Sequence, residues 1–305
     1  GFRPTQLAKP VETPDGTPSG LARPTGQSCD QRSQRPRRRA ATARPRSDCQ
    51  RAARTRLPGV GNVSGPPVVA QVVRNGFVES THRGIVVITR ADGSVSYFRG
   101  DYESHILPRS SLNPIQALAM VRCGLDLPAD QLALACASHS GEPMHLETAL
   151  DLLHGAGLHE SDLRNTPDLP LMEPYRTEWI AAGRQATSLA QNCSGKHAAM
   201  LATCAVNDWP LTTYLNRGHP CQQAVIETTR GFGQNVVWTS IDGCGAPAYA
   251  ISLVGLARIF GVLAAATDGA EKQVADAMRS HPELVGGTGR DVTDLMRGVP
   301  GMIAK

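Results

Sequence analysis

Pro108-Arg-Ser-Ser-Leu-Asn-Pro-Ile-Gln-Ala-Leu118 sets two hydroxyls, Ser110 and Ser111, just before a proline suited to the first turn of a helix. Pro114 has its φ preset for a helix start and lacks the N–H that would be left unpaired there. Ile115, Leu118 and Ala119 then recur at helical spacing and predict an apolar face. A hydroxyl at such an entrance lies at the positive end of the helix dipole, where developing negative charge is favoured. The commoner role of Ser and Asn at this place is an ordinary N-cap. Three later segments turn the reading toward chemistry.

Working outward, the chain divides by charge. Residues 1–66 hold thirteen Lys or Arg against four Asp or Glu, a balance of +9. The whole chain carries +4, so residues 67–305 carry −5. The front segment is rich in Arg, Pro, Ser and Gly without apolar periodicity, and it predicts a disordered basic arm. A nucleic-acid role for that arm would rest on composition alone, and aromatics are only 4% of the chain. Nucleic acid is therefore not an expected partner. Order is expected over 67–305 as one catalytic domain, ending at Lys305 short of a complete sheet.

Upstream of Pro108, Gly84–Arg90 and Ser94–Phe98 flank an Asp-Gly turn and predict a β-hairpin. Downstream, helices are expected over His145–Leu158, Ala198–Val206, Gln222–Thr229, Ile251–Ala266 and Glu271–Ser280, with a strand over Val236–Ile241. Hairpins first, helices later and a late strand give an α+β class. No apolar run reaches membrane-spanning length, and Ile251–Ala266 carries Arg258. The eight cysteines form no Cys-x-x-Cys pair, which fits thiols of a reducing, cytoplasmic compartment.

Three polar, glycine-flanked loops accompany the opening stretch. They are Ser138-His-Ser-Gly-Glu142, Asn192-Cys-Ser-Gly-Lys-His197 and Asp242-Gly-Cys-Gly-Ala-Pro247. Cys193 and Lys196 are three residues apart at a helix entrance, where the dipole and an ammonium favour thiolate. Asp242 and Cys244 share a flexible turn. Singly, each has a bland counterpart: a buried cysteine, a solvated lysine, a turn aspartate.

Together and in this order, the four strings closely resemble the rhizobial-type (thermolabile) L-asparaginases over about Val68 to Lys305. The resemblance implies a fold similar to serine β-lactamases and penicillin-binding proteins, an antiparallel sheet with packed helices. It implies hydrolysis of L-asparagine to aspartate and ammonia, and a homodimer. Two Ser–Lys tandems are implied, one at Ser110 and position 113, the other at Ser138 and Lys305. Asp242, Arg109, His139 and Glu142 are implied to bind substrate, and Cys193, Lys196 and Cys244 to bind zinc. A neutral lysine amine can take the proton of an attacking serine.

One departure matters. Position 113 is Asn where the family pattern has lysine, and an amide cannot accept the serine proton. A family member that binds asparagine or zinc without efficient turnover is therefore the alternative expectation. A penicillin-recognising hydrolase on the same fold is disfavoured by the absence of a Lys-Thr-Gly string.

Overall fold

The computed structural model describes residues 65–305, so all but the last two residues of the expected basic arm lie outside the described residues. The described part begins with two hairpins. Strands β1 (Val68–Arg74) and β2 (Phe77–Arg83) pair across Asn75-Gly76. Both turn residues have positive φ, 48° and 81°, the pattern of a type I′ hairpin turn. Strands β3 (Val86–Thr89) and β4 (Val95–Arg99) pair across Asp92-Gly93, where Asp92 accepts the Ser94 N–H at 2.8 Å.

A third sheet matters more for function. The short strand β5 (His105–Ile106) runs toward the opening stretch, and β6 (Trp238–Ile241) runs toward Asp242. Both pair antiparallel with the central strand β7 (Pro247–Ser252), giving the order β5-β7-β6. Two strands antiparallel to a common neighbour are parallel to one another. The residues that follow β5 and β6 therefore leave the sheet at the same end, and Arg109 meets Asp242 there.

The helices build the core. α1 (Asn113–Arg122), α2 (Ala129–Ala135), α3 (Pro143–Gly155) and α5 (Ser194–Val206) pack with α6 (Pro220–Gly231) and α8 (Gly269–Ser280). Ile115, Leu118, Leu134, Met200, Leu201, Val274 and Met278 are fully enclosed among them. α5 is buried from Ser194 through Cys204, so it is the central helix and its entrance lies in the interior. Gly195 makes that possible, because a Cβ there would run into the side chain and carbonyl of Leu134 on α2. Between α3 and α5 lies α4 (Glu173–Ala181), which has no buried residue. α7 (Leu253–Ala265), α9 (Pro282–Val285) and α10 (Asp291–Gly298) complete the order. Among the described residues no single helix is long and apolar enough to cross a membrane, and α7 and α8 are bent 87° apart.

The α+β class stands, with helices and small antiparallel sheets. The strands are divided among three sheets rather than one, and no strand among the described residues joins them. The helix expected from Ile251 begins at Leu253, because Ile251 and Ser252 belong to β7. A continuous apolar run reads the same in a buried strand and a buried helix. The hydroxyl of Ser252 marks the boundary by accepting the Gly255 N–H at 3.1 Å.

Candidate active site

The opening stretch does not act as a helix cap. Ser110 lies in a single 3-10 turn, Arg109–Leu112, and the residue preceding α1 is Leu112, whose side chain makes no capping bond. Arg109 carries φ +51°, a left-handed conformation uncommon outside glycine. That twist accompanies a side chain aimed at Asp242, whose Oδ1 accepts the Arg109 Nε–H at 2.8 Å. The hydrogen bond raises the Arg109 guanidinium further above its ordinary range. Asp242 Oδ1 also accepts the Gly243 N–H at 2.7 Å, so both of these bonds use the same oxygen.

A cavity of about 170 Å³ opens beside this pair. Arg109, Ser110, Asp242, Cys193 and Cys244 line it, together with Asn192. Three of the four sequence strings thus meet at one small polar space. Its floor is a cluster of thiols and an amine. Lys196 is 2% exposed, and its Nζ lies 3.5 Å from Cys244 Sγ. Burial alone would lower the Lys196 amine, but Cys193, Cys244 and Asp242 outweigh it and the net shift is upward. The S–H of Cys193, directed at Cys244, draws the Cys244 thiol far below its ordinary range, with His197 and Lys196 adding to the effect. Cys193 moves the other way, well above its ordinary range, because its proton is held by Cys244 and because it is buried. The pair therefore shares one proton and one negative charge beside an ammonium.

Ser138 stands behind the cavity wall. Its Oγ accepts the Asn192 Nδ2–H at 3.2 Å. Asn192 is itself oriented by Gln191, whose Nε2 donates to Asn192 Oδ1 at 2.7 Å. Gln191 Oε1 in turn accepts from the Cys193 N–H and from Asn165 Nδ2, each at 3.0 Å. The backbone N–H of Ser138 donates to Val285 O at 3.2 Å, and Lys305 Nζ donates to the same carbonyl at 3.4 Å. Lys305 keeps some exposure as a residue, while its amine is interior, and burial lowers that amine to about 7. The second hydroxyl of the opening stretch also reaches this corner, with Ser111 Oγ donating to Lys305 O at 3.4 Å.

A family model described as L-asparaginase II matches residues 70–305. The chain belongs to the L-asparaginase II family. No curated protein sequence gives a match. Membership points to an amidohydrolase with asparagine as its substrate.

Besides Ser138, Lys196 and Lys305, three further residues expected in the L-asparaginase II site do not line the cavity. His139 is fully buried, with Nε2 2.9 Å from Ser194 Oγ and its ring stacked on His145. Glu142 has both carboxylate oxygens engaged by Thr288, from its N–H and its hydroxyl, each at 2.7 Å. Gly287 lies against that corner, since a Cβ there would collide with Ser140 and crowd Glu142. Asn113 is fully buried, donates Nδ2 to Ala137 O at 2.6 Å, and leaves Oδ1 with no partner.

The zinc expectation is judged on donor chemistry. Among the described residues no three His, Cys, Asp or Glu side chains converge as a metal-binding group. The set in question is two thiols and an amine. Both cysteines are free, buried and in mutual contact, and Lys196 Nζ adjoins one of them. Once a metal displaces the proton shared by the two sulfurs and one proton of the Lys196 ammonium, two thiolates and an amine beside a polar cavity would fit a zinc ion with an open position.

Sequence reasoning did not single out Thr166, Asp168, Gln191 or Asn192, all of which line the cavity. Asn192 and Gln191 precede Cys193 directly and were within reach of the motif. Thr166 and Asp168 lie in a loop-rich segment with no pattern to mark them.

Proposed function

We propose that this protein is an L-asparagine amidohydrolase in which a serine attacks the side-chain amide with help from Lys305. The observation that carries this reading is the convergence of Ser138 and Lys305 on the Val285 carbonyl, next to a polar cavity of amino-acid size. Arg109 offers its terminal guanidinium nitrogens to an α-carboxylate, because Nε is committed to Asp242. Asp242 and the exposed Asp168 offer negative charge to an α-ammonium. A free amino acid carries both groups, so the site fits a small zwitterion better than a peptide.

The chemistry follows from the amines. Lys305, lowered to about 7 by burial, has a substantial neutral fraction near neutrality and can take a hydroxyl proton. The hydroxyl oxygen then bonds the amide carbon, the proton passes to the leaving nitrogen, and ammonia departs. Water, deprotonated by the same amine, completes release of aspartate. Ser110 lines the cavity but has no amine at position 113, so its role as nucleophile depends on Lys305. Zinc held by Cys193, Lys196 and Cys244 would supply Lewis acidity at the cavity wall. Kinship with the serine β-lactamase fold and a homodimeric state belong to the same proposal.

A second reading rests on Asn113. With that amide committed to Ala137 O, one of the two tandems lacks a base, and the protein binds asparagine with slow turnover. Ammonia release from asparagine, measured beside isothermal binding of aspartate, separates the two. Turnover supports the enzyme, binding without turnover supports the second reading, and neither binding nor turnover overturns both.

A further inference from the structure

The amide of Asn192 links Ser138 to the cavity, since it lines the cavity and bonds the Ser138 hydroxyl. It is the last of three side-chain amides in series, Asn165, Gln191 and Asn192. Each link has only one possible polarity. Cys193 meets Gln191 through its backbone N–H, which can only donate, so the Gln191 atom 3.0 Å away is Oε1. Asn165 gives the same answer independently. Its terminal atom 2.7 Å from the Ser188 carbonyl must be nitrogen, and that nitrogen also donates to Gln191 Oε1 at 3.0 Å. Gln191 therefore turns Nε2 toward Asn192, and the Asn192 atom 2.7 Å away is Oδ1. What remains of Asn192 is Nδ2, which donates to Ser138 Oγ at 3.2 Å.

Gln191 and Asn165 are buried, so this polarity is held from the interior. Ser138 Oγ accepts from Asn192, and its own proton has no acceptor among the described residues. That proton is free for a base. Nδ2 carries two hydrogens, and Ser138 takes one of them. The other has no acceptor among the described residues, while Asn192 itself borders the polar cavity.

We propose that Asn192 is a catalytic residue that gives its second Nδ2–H to the carbonyl oxygen of the substrate amide, with Gln191 as the positioning residue that keeps its N–H side forward. The inference rests on the reading that asparagine is hydrolysed in this cavity. As the serine oxygen bonds the amide carbon, the C=O π pair moves onto the carbonyl oxygen and the serine proton passes to the amine. An N–H already fixed beside the serine meets that charge without reorganising. When the pair returns to re-form C=O, the C–N bond breaks and ammonia leaves with the proton. With the opposite polarity, Oδ1 would face the cavity, repel the developing charge and tie up the serine proton.

The test uses the full chain, labelled with ¹⁵N in its Asn and Gln side chains. Asn192→Asp, of the same shape, identifies the Asn192 amide signals by their loss. Ser138→Ala should shift one of the two Asn192 amide protons, and saturating aspartate should shift the other. The second readout is kcat and KM for asparagine. Asn192→Ala should lower kcat about a hundred- to thousand-fold, the usual loss on removing one oxyanion donor. Gln191→Glu can still accept from Cys193 and Asn165 but cannot donate to Asn192, so the Asn192 amide should turn over. Its added charge should raise KM, and the turned amide should lower kcat by a similar factor to Asn192→Ala. In the Asn192→Ala background Gln191→Glu should cost no further kcat, which a merely structural Gln191 would not show. In an active enzyme, Asn192 protons unmoved by Ser138→Ala or by aspartate would overturn the proposal alone. Equal kcat losses from Gln191→Glu in both backgrounds would do the same. A chain that neither turns over asparagine nor binds aspartate would overturn the reading of the cavity and this inference with it.

Discussion

Ser138 and Lys305 meet on a single carbonyl, with the serine N–H and the lysine amine donating to Val285 O at 3.2 and 3.4 Å. Because burial brings that amine to about 7, its neutral fraction grows as pH rises through neutrality. A general base works in its neutral form, so kcat/KM should rise through about pH 7 and level off above it. Lys305→Met should lower turnover by roughly a hundred- to ten-thousand-fold. Rates of ammonia release from pH 5.5 to 9 check both points. A profile without an acid limb near 7, or a Lys305→Met protein of unchanged rate, would remove Lys305 from the chemistry.

Glu142 is saturated by Thr288 and stands behind the cavity, so its contribution should be to stability. Glu142→Ala leaves the Thr288 N–H without its acceptor, a loss of about 1–3 kcal/mol. The melting temperature should fall by several degrees while KM for asparagine holds steady. An unchanged melting temperature with a raised KM would instead place Glu142 on the substrate.

Much of this site was legible in the sequence because its residues come in short contiguous strings. Ser110, Cys193, Lys196, Asp242 and Cys244 are each flanked by glycine, serine or proline signals, and the structure gathers all five around one space. What could not be read is which side chains are consumed by neighbours. His139 and Glu142 share a string with Ser138, yet their partners, Ser194 and Thr288, are 55 and 146 residues away. The amide relay through Asn165 and Gln191 is hidden for the same reason. In the fold, β7 was missed because Pro247–Ser252 is buried on almost every residue and shows no alternation. The second strand of the first hairpin, Phe77–Arg83, was missed because polar residues interrupt it and all seven are exposed.

The buried histidines should make the domain acid-sensitive. Burial lowers the His139 ring well below 6.5, with the nearby His145 adding to it, and burial also lowers His145. In the unfolded chain both imidazoles take up protons near pH 6.5, before the folded ones do. The unfolded state then binds more protons, so stability is complete above about 6.5 and falls as pH drops below it. Each such histidine contributes at most about 1.4 kcal/mol per pH unit in that window. Urea unfolding at pH 7.5 and 5.5 should show the loss, and His145→Gln should reduce it. Equal midpoints at the two pH values would mean that these rings titrate alike in both states.

Metal content tests the thiol cluster. Purified protein should carry about one zinc per chain, since two sulfurs and an amine, once their protons are displaced by the metal, are strong donors in one place. The Cys193→Ser, Cys244→Ser double variant should carry none when measured by atomic emission. Stoichiometric zinc in the double variant would put the ion somewhere else.

Asn113 separates an efficient enzyme from an impaired one. Its amide sits one turn beyond Ser110 and donates to the carbonyl of Ala137, the residue directly before Ser138. A lysine at that position would bring an amine to a place where the amide now offers only a donor to Ala137 O and an unpartnered oxygen. Burial would keep such an amine substantially neutral, as it does for Lys305. Asn113→Lys should therefore raise turnover of asparagine by at least about tenfold, the low side of what a positioned base contributes. Ser110→Ala in the same background should abolish the gain, because the new base would then have no hydroxyl of its own to deprotonate. If the gain survives that second change, the new amine is serving Ser138, and the nucleophile is Ser138 rather than Ser110. A folded Asn113→Lys protein no faster than the native chain would show that position 113 does not limit this site and that Lys305 already supplies the base it needs.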